Sequence, residues 1–189
     1  MLLPEGVYID STTGAVTPET GRYVKRLSEL STLFQDTVAA SALVAEAGDP
    51  KLYEVVEYRK ENSDIFFGTT IMEPGNIAGE YYMTRGHFHA RRDMGEVYYT
   101  QSGQGILLLD SRGGQQPVTV EMKPGVCAFI PPDWAHRSIN TGSDQLIFVW
   151  VCNPAAGHDY ADILTKGMRK RVMQSSDGGI QVVDNPTAQ

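Results

Sequence analysis

Three of the four histidines in the chain, His87, His89 and His136, stand at spacings that could bring them to one point. If residues 86–90 form a strand, His87 and His89 project from the same face, because alternate side chains of a strand share a face. Glu96 begins the next strand-like segment and could close on that pair. Three imidazoles and one carboxylate suit Fe²⁺, Mn²⁺, Ni²⁺, Co²⁺ or Zn²⁺, with positions left for water or substrate. We therefore predict a metal site; surface histidines without a common target are the alternative.

Two further side chains could act beside this cluster. Tyr98 lies two residues after Glu96, on the same face of the predicted strand, and could donate a hydrogen bond to a substrate hydroxyl. His158, the fourth histidine, follows Gly157 in a predicted loop, from which it could reach the mouth of a cavity. Core packing of Tyr98 and a loop histidine without function are the alternatives at these two positions.

The composition is that of a globular protein of ordinary domain size. The chain has 189 residues, of which 41% are hydrophobic and 21% charged, so it can bury a core without disulfide bonds. The formal net charge of −7 argues against a nucleic-acid partner, since no basic stripe is present to neutralise phosphates. We expect the one basic cluster, residues 166–171, to be a solvated face or a helix end.

The cysteines and the amino terminus indicate in which cellular compartment the protein is expected. Cys127 and Cys152 belong to no CxxC pair and lie in apolar runs, which predicts buried, reduced thiols. Residues 1–5 lack the positive stretch and apolar segment of a signal peptide. No apolar run approaches the roughly 20 residues that a membrane helix needs. We therefore expect a soluble, cytoplasmic protein without a membrane partner.

The remaining pattern predicts one helix followed by many short strands. The Ala-rich segment 37–47 predicts a helix, with Asp36 as its N-cap and Gly48 as its C-terminal stop. Beyond it, segments rich in β-branched and aromatic residues alternate with Gly and Pro turns, which predicts an antiparallel sandwich or barrel. The predicted strands cover residues 52–58, 65–72, 81–84, 86–90, 96–101, 105–110, 118–122, 126–130, 136–140, 146–152 and 180–183, with a short helix at 160–166.

Two separated segments resemble the sequence motifs of the cupin superfamily, small β-barrels that hold a metal inside. The matching residues are His87, His89, Glu96 and Gly103 in the first segment and Gly125, Pro131, His136 and Asn140 in the second. Asp133 stands where the second motif has its middle Gly, and Asp tolerates the left-handed conformation better than most residues. The resemblance implies an all-β fold, a cupin (double-stranded β-helix or jelly-roll) barrel with a few short helices.

The residue sequence of several segments is similar to that of the cupin-type phosphoglucose isomerases of archaea and some bacteria. The resemblance spans roughly residues 50–186, and the segments that carry it are 68–70, 84–89, 95–98, 131–137, 156–160 and 182–186. It implies a metal-dependent enzyme, with Fe²⁺ as the expected ion, that interconverts glucose 6-phosphate and fructose 6-phosphate. The alternatives are another metal-dependent cupin enzyme, an oxygenase or an epimerase, and a non-catalytic metal- or sugar-binding module.

The resemblance also implies roles for individual residues. Glu96 is expected to be a metal ligand, a base, or both, although a carboxylate bound firmly to a cation is a poor base. A proton-transfer route through an enediol and a direct hydride transfer both stay open. The expected substrate-binding residues are Thr70, Thr84, the N–H of Gly86, Phe148 and Tyr160.

At position 152 the chain departs from the family pattern. Family members tend to carry Tyr where this chain has Cys152, so the phosphate needs another donor or is held more weakly. We expect a single cupin domain with an arm and short helix at 1–50, a barrel at 51–155 and an extension at 156–189. We also expect a homodimer that pairs through the long arm and an outer sheet face.

Overall fold

A computed structural model describes residues 3–188 of the chain. Strands dominate it, and helices are few and short. The strands are β1 (Tyr8–Ile9), β2 (Val16–Thr17), β3 (Gly21–Arg26), β4 (Lys51–Arg59), β5 (Phe66–Met72), β6 (Asn76–Ile77), β7 (Glu80–Tyr81), β8 (Glu96–Ser102), β9 (Gly105–Ser111), β10 (Val118–Met122), β11 (Cys127–Ile130), β12 (Trp134–Asn140), β13 (Leu146–Cys152), β14 (Lys170–Gln174) and β15 (Ile180–Asp184). The helices are α1 (Thr37–Ala47) and α2 (Ala161–Lys166), with 3₁₀ turns at Leu27–Glu29, Ser31–Leu33 and Pro186–Ala188.

Helix α1 has the bounds that its caps predict. The Asp36 side chain accepts a hydrogen bond from the Ala39 N–H at 2.8 Å, and Gly48 ends the helix in the left-handed conformation with φ 69°. Both features satisfy backbone groups that a helix end leaves without an intrahelical partner. Among residues 3–188, no helix has the length and apolar composition that crossing a membrane requires.

The strand order is that of a double-stranded β-helix. One sheet has the order β11-β8-β13-β5-β4-β3 and another the order β10-β9-β12, and residues 82–88 add to the β12 edge through bridges from Met83 to Ile139 and from His87 to His136. If β5 counts as strand 1, residues 82–88 as strand 2 and β8–β13 as strands 3–8, the sheets read 6-3-8-1 and 5-4-7-2. This is the jelly-roll arrangement, so the predicted all-β cupin barrel is confirmed.

Alternation along β8 shows how the barrel positions side chains. Glu96, Tyr98 and Thr100 are buried, whereas Tyr99 between them is exposed. Side chains of a strand point alternately to its two faces, so the first three face the interior between the sheets. A continuous apolar core that includes Phe148 fills the rest of this space.

The structure differs from the sequence predictions at several strands. The two-residue strands β2 and β6 were not predicted, and the predicted strand 81–84 contains only the end of β7, at Tyr81, and an isolated bridge at Met83. β3 and β14 lie outside every predicted strand; β3 pairs with β4, and β14 pairs with β15 and touches β7. The predicted strand 86–90 is wrong as a regular strand, because its pairing consists of isolated bridges. Gly86 has φ 74° there, a left-handed conformation that interrupts a strand.

The expectation of a solvated basic cluster at 166–171 is wrong for Arg171. Its side chain is buried, and Nη1 donates to Glu80 Oε1 at 2.8 Å and to the Leu33 carbonyl at 3.0 Å. Nε donates to the Asn185 side chain at 3.0 Å. A buried guanidinium needs such partners to offset its desolvation.

The expectation of buried thiols is wrong for Cys127. Both cysteines are free, but Cys127 is exposed and Cys152 half-buried. Cys127 and Phe129 alternate with buried residues along β11. The apolar run therefore belongs to a strand with one outward face, and Cys127 lies on that face.

Candidate metal and substrate site

The four predicted metal ligands converge on one point. One donor atom from each of His87, His89, Glu96 and His136 lies within 4.8 Å of the other three. His87 and His89 come from the segment beside β12, Glu96 from the start of β8, and His136 from β12 itself. Both sheets of the barrel therefore contribute to the cluster.

Hydrogen bonds orient two of the imidazoles towards the carboxylate. His89 Nδ1 donates to the Met94 carbonyl at 3.0 Å, and His136 Nδ1 donates to the Trp134 carbonyl at 3.3 Å. Their Nε2 atoms then carry lone pairs, and they lie 3.2 Å and 3.1 Å from the same oxygen, Glu96 Oε2. His136 Nε2 is buried without a hydrogen-bond partner. Electron-rich atoms this close fit a shared cation, which binds such ligands at about 2.0–2.2 Å.

The protonation states suit the same ion. Burial would raise the pKa of Glu96, but the adjacent imidazoles of His136 and His89 lower it below its ordinary value. Burial, with the neighbouring His136, lowers the pKa of His87 well below its ordinary value. At neutral pH the cluster thus offers a carboxylate and a neutral imidazole, the forms that bind metal. The residues present therefore fit a divalent metal ion, and the donor set does not distinguish among the candidates.

The other predicted residues line the same cavity. The cavity has a volume of about 950 Å³, including its open mouth. The predicted residues in its wall, besides the four ligands, are Thr70, Thr84, Gly86, Tyr98, Phe148, His158 and Tyr160. The structure thus brings every predicted site residue into one space.

Tyr98 lies between the cluster and the apolar wall. Its ring centre is 4.7 Å from that of Phe148 and 5.6 Å from that of His136. Burial and the nearby Glu96 carboxylate raise the pKa of Tyr98 well above its ordinary value. Its hydroxyl therefore stays protonated and is able to donate a hydrogen bond.

His158 reaches the cluster because its segment pairs with the His-x-His segment. Phe88 and Asp159 exchange two backbone hydrogen bonds of 3.0 Å and 2.8 Å. The His158 ring thereby lies edge-on to His87, with ring centres 4.2 Å apart. Although His158 is exposed at the mouth, partial desolvation lowers its pKa below the ordinary value. The ring is therefore neutral at neutral pH.

Hydroxyl and amide donors lie on the other side of the cavity. Thr84 Oγ1 accepts the Ser138 N–H at 3.0 Å, which leaves the Thr84 hydroxyl hydrogen for another acceptor. The Gly86 N–H makes no hydrogen bond within residues 3–188. A Cβ at Gly86 would lie 3.1 Å from Arg137 atoms, and φ 74° also favours glycine. Thr70, on β5, lies opposite Phe148 of β13.

Sequence reasoning missed Arg85, although it lies directly between the predicted Thr84 and Gly86. Its guanidinium is 5.2 Å from the ring centre of Tyr160, and its Nε is buried without a hydrogen-bond partner. No carboxylate within residues 3–188 forms a salt bridge with it. A free guanidinium in the cavity wall would attract an anionic group. The basic side chain beside the Gly-His motif was the available signal.

Cys152 also lies in the cavity wall, directly opposite Glu96 in the β8–β13 pair. Burial and the Glu96 carboxylate raise the pKa of the Cys152 thiol above its ordinary value, so the thiol stays protonated. Sulfur is a weak hydrogen-bond donor. Cys152 is thus a weak hydrogen-bond donor to any group bound in the cavity.

Comparison with known proteins decides the family. The family model described as glucose-6-phosphate isomerase matches residues 24–189. The chain belongs to the glucose-6-phosphate isomerase family. Among its relatives in this family, the enzyme of Thermococcus onnurineus is 41% identical over 97% of this chain and 95% of its own. The enzyme of Sinorhizobium medicae is 41% identical over 96% of this chain and 86% of its own.

Family membership confirms the predicted enzyme class, a glucose-6-phosphate isomerase that acts on glucose 6-phosphate and fructose 6-phosphate. Among solved structures, a deletion mutant of Bacillus subtilis oxalate decarboxylase is similar with a TM-score of 0.47 and 19% identity. That likeness covers 58% of this chain and 28% of the other. It bears on neither the ligand nor the reaction of this glucose-6-phosphate isomerase family member.

Proposed function

We propose that the protein interconverts glucose 6-phosphate and fructose 6-phosphate with a divalent metal ion held by His87, His89, Glu96 and His136. The observation that supports this most directly is the convergence of four donor atoms within 4.8 Å in a chain of this family. When bound, the ion would polarise the C1 and C2 oxygens of the sugar. We propose Fe²⁺, which the family resemblance favours, although Mn²⁺, Ni²⁺, Co²⁺ and Zn²⁺ suit the same donors.

Glu96 is the proposed base. The isomerisation must move hydrogen between C1 and C2 of the open-chain sugar. The imidazoles of His89 and His136 both approach Glu96 Oε2, which leaves Oε1 for a second partner. We propose that Oε1 takes the proton from C2 and returns it to C1 through an enediol, because the low pKa of Glu96 keeps it ionised. The direct hydride route would instead retain the C2 hydrogen in the product.

Tyr98 and His158 have supporting roles in this proposal. The protonated Tyr98 hydroxyl donates a hydrogen bond to a sugar hydroxyl beside Glu96 and so orients the chain of carbons. The neutral His158 imidazole lies at the mouth, where it exchanges a proton with the ring oxygen as the sugar ring opens. Phe148 forms the apolar wall against which the sugar lies.

The phosphate is held by several aimed donors. We propose that the hydroxyls of Thr70, Thr84 and Tyr160 and the N–H of Gly86 bind its oxygens. These neutral donors do not balance the charge of a phosphate, and Arg85 supplies the missing positive charge. The free guanidinium beside Tyr160 supports this assignment. The resemblance implies a Tyr phenol in place of Cys152, and Arg85 is the donor that we propose in its stead.

We further propose a cytoplasmic homodimer without nucleic-acid or membrane partners. An apolar outward face on the adjacent strands β11, β8 and β13 supports the dimer: Phe129, Tyr99 and Val151 are 68%, 46% and 38% exposed. An exposed apolar patch on a sheet is typical of a protein interface. Two free thiols and a sugar-phosphate substrate suit the cytoplasm.

A coupled assay tests the reaction. Purified protein is mixed with fructose 6-phosphate, and glucose 6-phosphate is detected through its dehydrogenase and NADP⁺. We expect steady NADPH formation with the wild type and none with His136→Ala, while Cys127→Ser, which changes an exposed thiol, retains activity. A folded, metal-loaded protein that forms no glucose 6-phosphate would refute the proposal, and a ketose phosphate that differs from fructose 6-phosphate at one stereocentre would indicate an epimerase.

A further inference from the structure

Arg112, just after β9, contacts two segments of the candidate site from behind. Its guanidinium lies over the Phe88 ring at 4.2 Å from the ring centre, and Nη2 donates to Asp159 Oδ2 at 2.5 Å. Its backbone N–H donates to the Asp133 carbonyl at 3.1 Å, in the loop that enters β12. The side chain is only 24% exposed. We name Arg112, Phe88 and Asp159 together the Arg112 clamp.

The partners in the clamp adjoin the histidines of the cavity. Phe88 is the middle residue of the His-x-His motif; it is buried and lies outside the cavity wall, whereas His87 and His89 line the cavity. Asp159 follows His158 directly. Its second oxygen, Oδ1, accepts the Ala161 N–H at 3.1 Å, so the Asp159 carboxylate is fixed from two sides. Arg112 thus joins the two segments on the face away from the cavity.

We propose that Arg112 is a positioning residue for His158: through the Arg112 clamp it holds the loop of residues 156–160 so that the His158 ring stays beside His87. The inference rests on the role proposed above for His158. Arg112 is not part of the cavity wall, so we propose that it acts through Phe88 and Asp159.

The backbone hydrogen bonds of this loop leave freedom at Gly157, next to His158. Residues 156–160 are tied to residues 88–91 by four backbone hydrogen bonds, the longest of them 3.4 Å between Ala90 N and the Gly157 carbonyl. Gly157, next to His158, has φ 59°, and glycine adds backbone freedom at that point. Arg112 adds a cation–π contact and an ion pair, both partly removed from water, that limit this freedom. Arg112 holds the pKa of Asp159 below its ordinary value, so the pair is ionised at neutral pH.

The test compares Arg112→Ala with Arg91→Ala. Both remove one arginine near the same segment, but the Arg91 side chain forms its ion pair, among residues 3–188, with the exposed Asp93 alone. A misplacement of about 1 Å costs about 100-fold in rate. We therefore expect kcat of Arg112→Ala to fall about 10- to 100-fold, with KM changed less than about twofold and metal content unchanged. Arg91→Ala should match the wild type, and Arg112→Lys should recover part of the loss.

Two further measurements separate positioning from mere stability. Asp159→Ala should also lower kcat, and the double variant should lose less than the product of the two single losses, because both changes remove the same Arg112–Asp159 ion pair. Hydrogen exchange of the metal-free protein should quicken at residues 156–160 in Arg112→Ala but not in Arg91→Ala. Unchanged exchange, an unchanged kcat, losses that multiply in the double variant, or full rescue of kcat by added metal would each overturn the inference.

The exchange measurement also separates this inference from the proposed function. If the wild type lacks isomerase activity while exchange quickens in Arg112→Ala, the proposed function fails and the role of the clamp for His158 falls with it. If the wild type is active and Arg112→Ala leaves kcat and exchange unchanged, only the clamp fails.

Discussion

In the proposal, one oxygen of the Glu96 carboxylate faces the metal ion and the other acts as the base. Its Oε2 lies 3.2 Å and 3.1 Å from two imidazole nitrogens whose other ring nitrogens donate to backbone carbonyls. A single buried group that meets such a pair is fixed in orientation. Its remaining oxygen then has a defined direction, which is what a base that acts on two adjacent carbons requires.

Replacing Glu96 with Gln tests the base. The amide keeps the size of the side chain and an oxygen for the metal, but it has no basicity. We expect kcat to fall about 10²- to 10⁴-fold, while metal analysis still finds the ion. A metal-loaded Glu96→Gln protein that turns over at nearly the wild-type rate would contradict the base role and favour hydride transfer.

Arg85 is expected to act on binding of the phosphate. Replacement by Gln removes the charge and keeps some hydrogen bonding, so we expect KM for fructose 6-phosphate to rise about 10-fold with a smaller change in kcat. Arg85→Lys should recover part of the affinity. Arg92→Gln is the matched control, because Arg92 pairs with Asp133 on the surface. A KM that stays within twofold of the wild type for Arg85→Gln would exclude the assignment.

At the scale of elements, Gly86 turns a strand into a binding wall. Its φ of 74° interrupts the segment beside β12, so that Thr84 on one side of the break and His87 on the other both line the cavity. An uninterrupted strand would place residues three apart on opposite faces. The break therefore joins the phosphate-binding and metal-binding groups of the proposal.

Gly86→Ala should damage both stability and activity. The left-handed conformation costs a residue with a Cβ about 1–2 kcal/mol, and the new Cβ would also press on Arg137 at 3.1 Å. Gly125→Ala is the control: Gly125 has φ 89°, and nothing lies within 4 Å of its added Cβ. Urea unfolding should show a larger loss for Gly86→Ala than for Gly125→Ala, with lost activity in the first alone. Equal losses would contradict the account.

Elements with strong local signals could be predicted from the sequence, whereas others depend on distant partners. Helix α1 has its own caps, and β10 and β13 have compact runs of strand-forming residues; all three have their predicted bounds. β3 and β14 are rich in basic residues, and they form strands because β4 and β15 offer edges to pair with. The periodicity of an isolated segment contains no information about such an edge.

In the candidate site, too, some residues could be predicted from the sequence and others could not. The four ligands are separated by a motif spacing that alternation in strands can interpret, and the structure brings them together. The contacts of Arg112 join residues 24 and 47 positions apart with no motif between them (112 − 88 and 159 − 112). Only the closed barrel brings those segments into contact, so the sequence could not reveal them.

For the whole molecule, the outward face of the larger sheet predicts how two copies pair. Phe129 is the most exposed of the three apolar side chains in the proposed interface, at 68%, so Phe129→Lys should yield monomers by light scattering at concentrations where the wild type is dimeric. Val118→Lys is the control, because Val118 is 44% exposed on β10 of the other sheet. A wild type that is monomeric, or a Phe129→Lys dimer of unchanged affinity, would contradict the interface. The division into arm, barrel and extension stays a prediction.

The central claim is that one ion, held by three imidazoles and Glu96, is needed for isomerisation. The most direct measurement follows bound metal and turnover in the same sample, during removal by EDTA and stepwise return of Fe²⁺, Mn²⁺ or Ni²⁺. We predict that activity disappears with the metal and returns in proportion to it, and that it levels off at about one ion per chain. Full activity in a sample shown to be free of metal would contradict the claim.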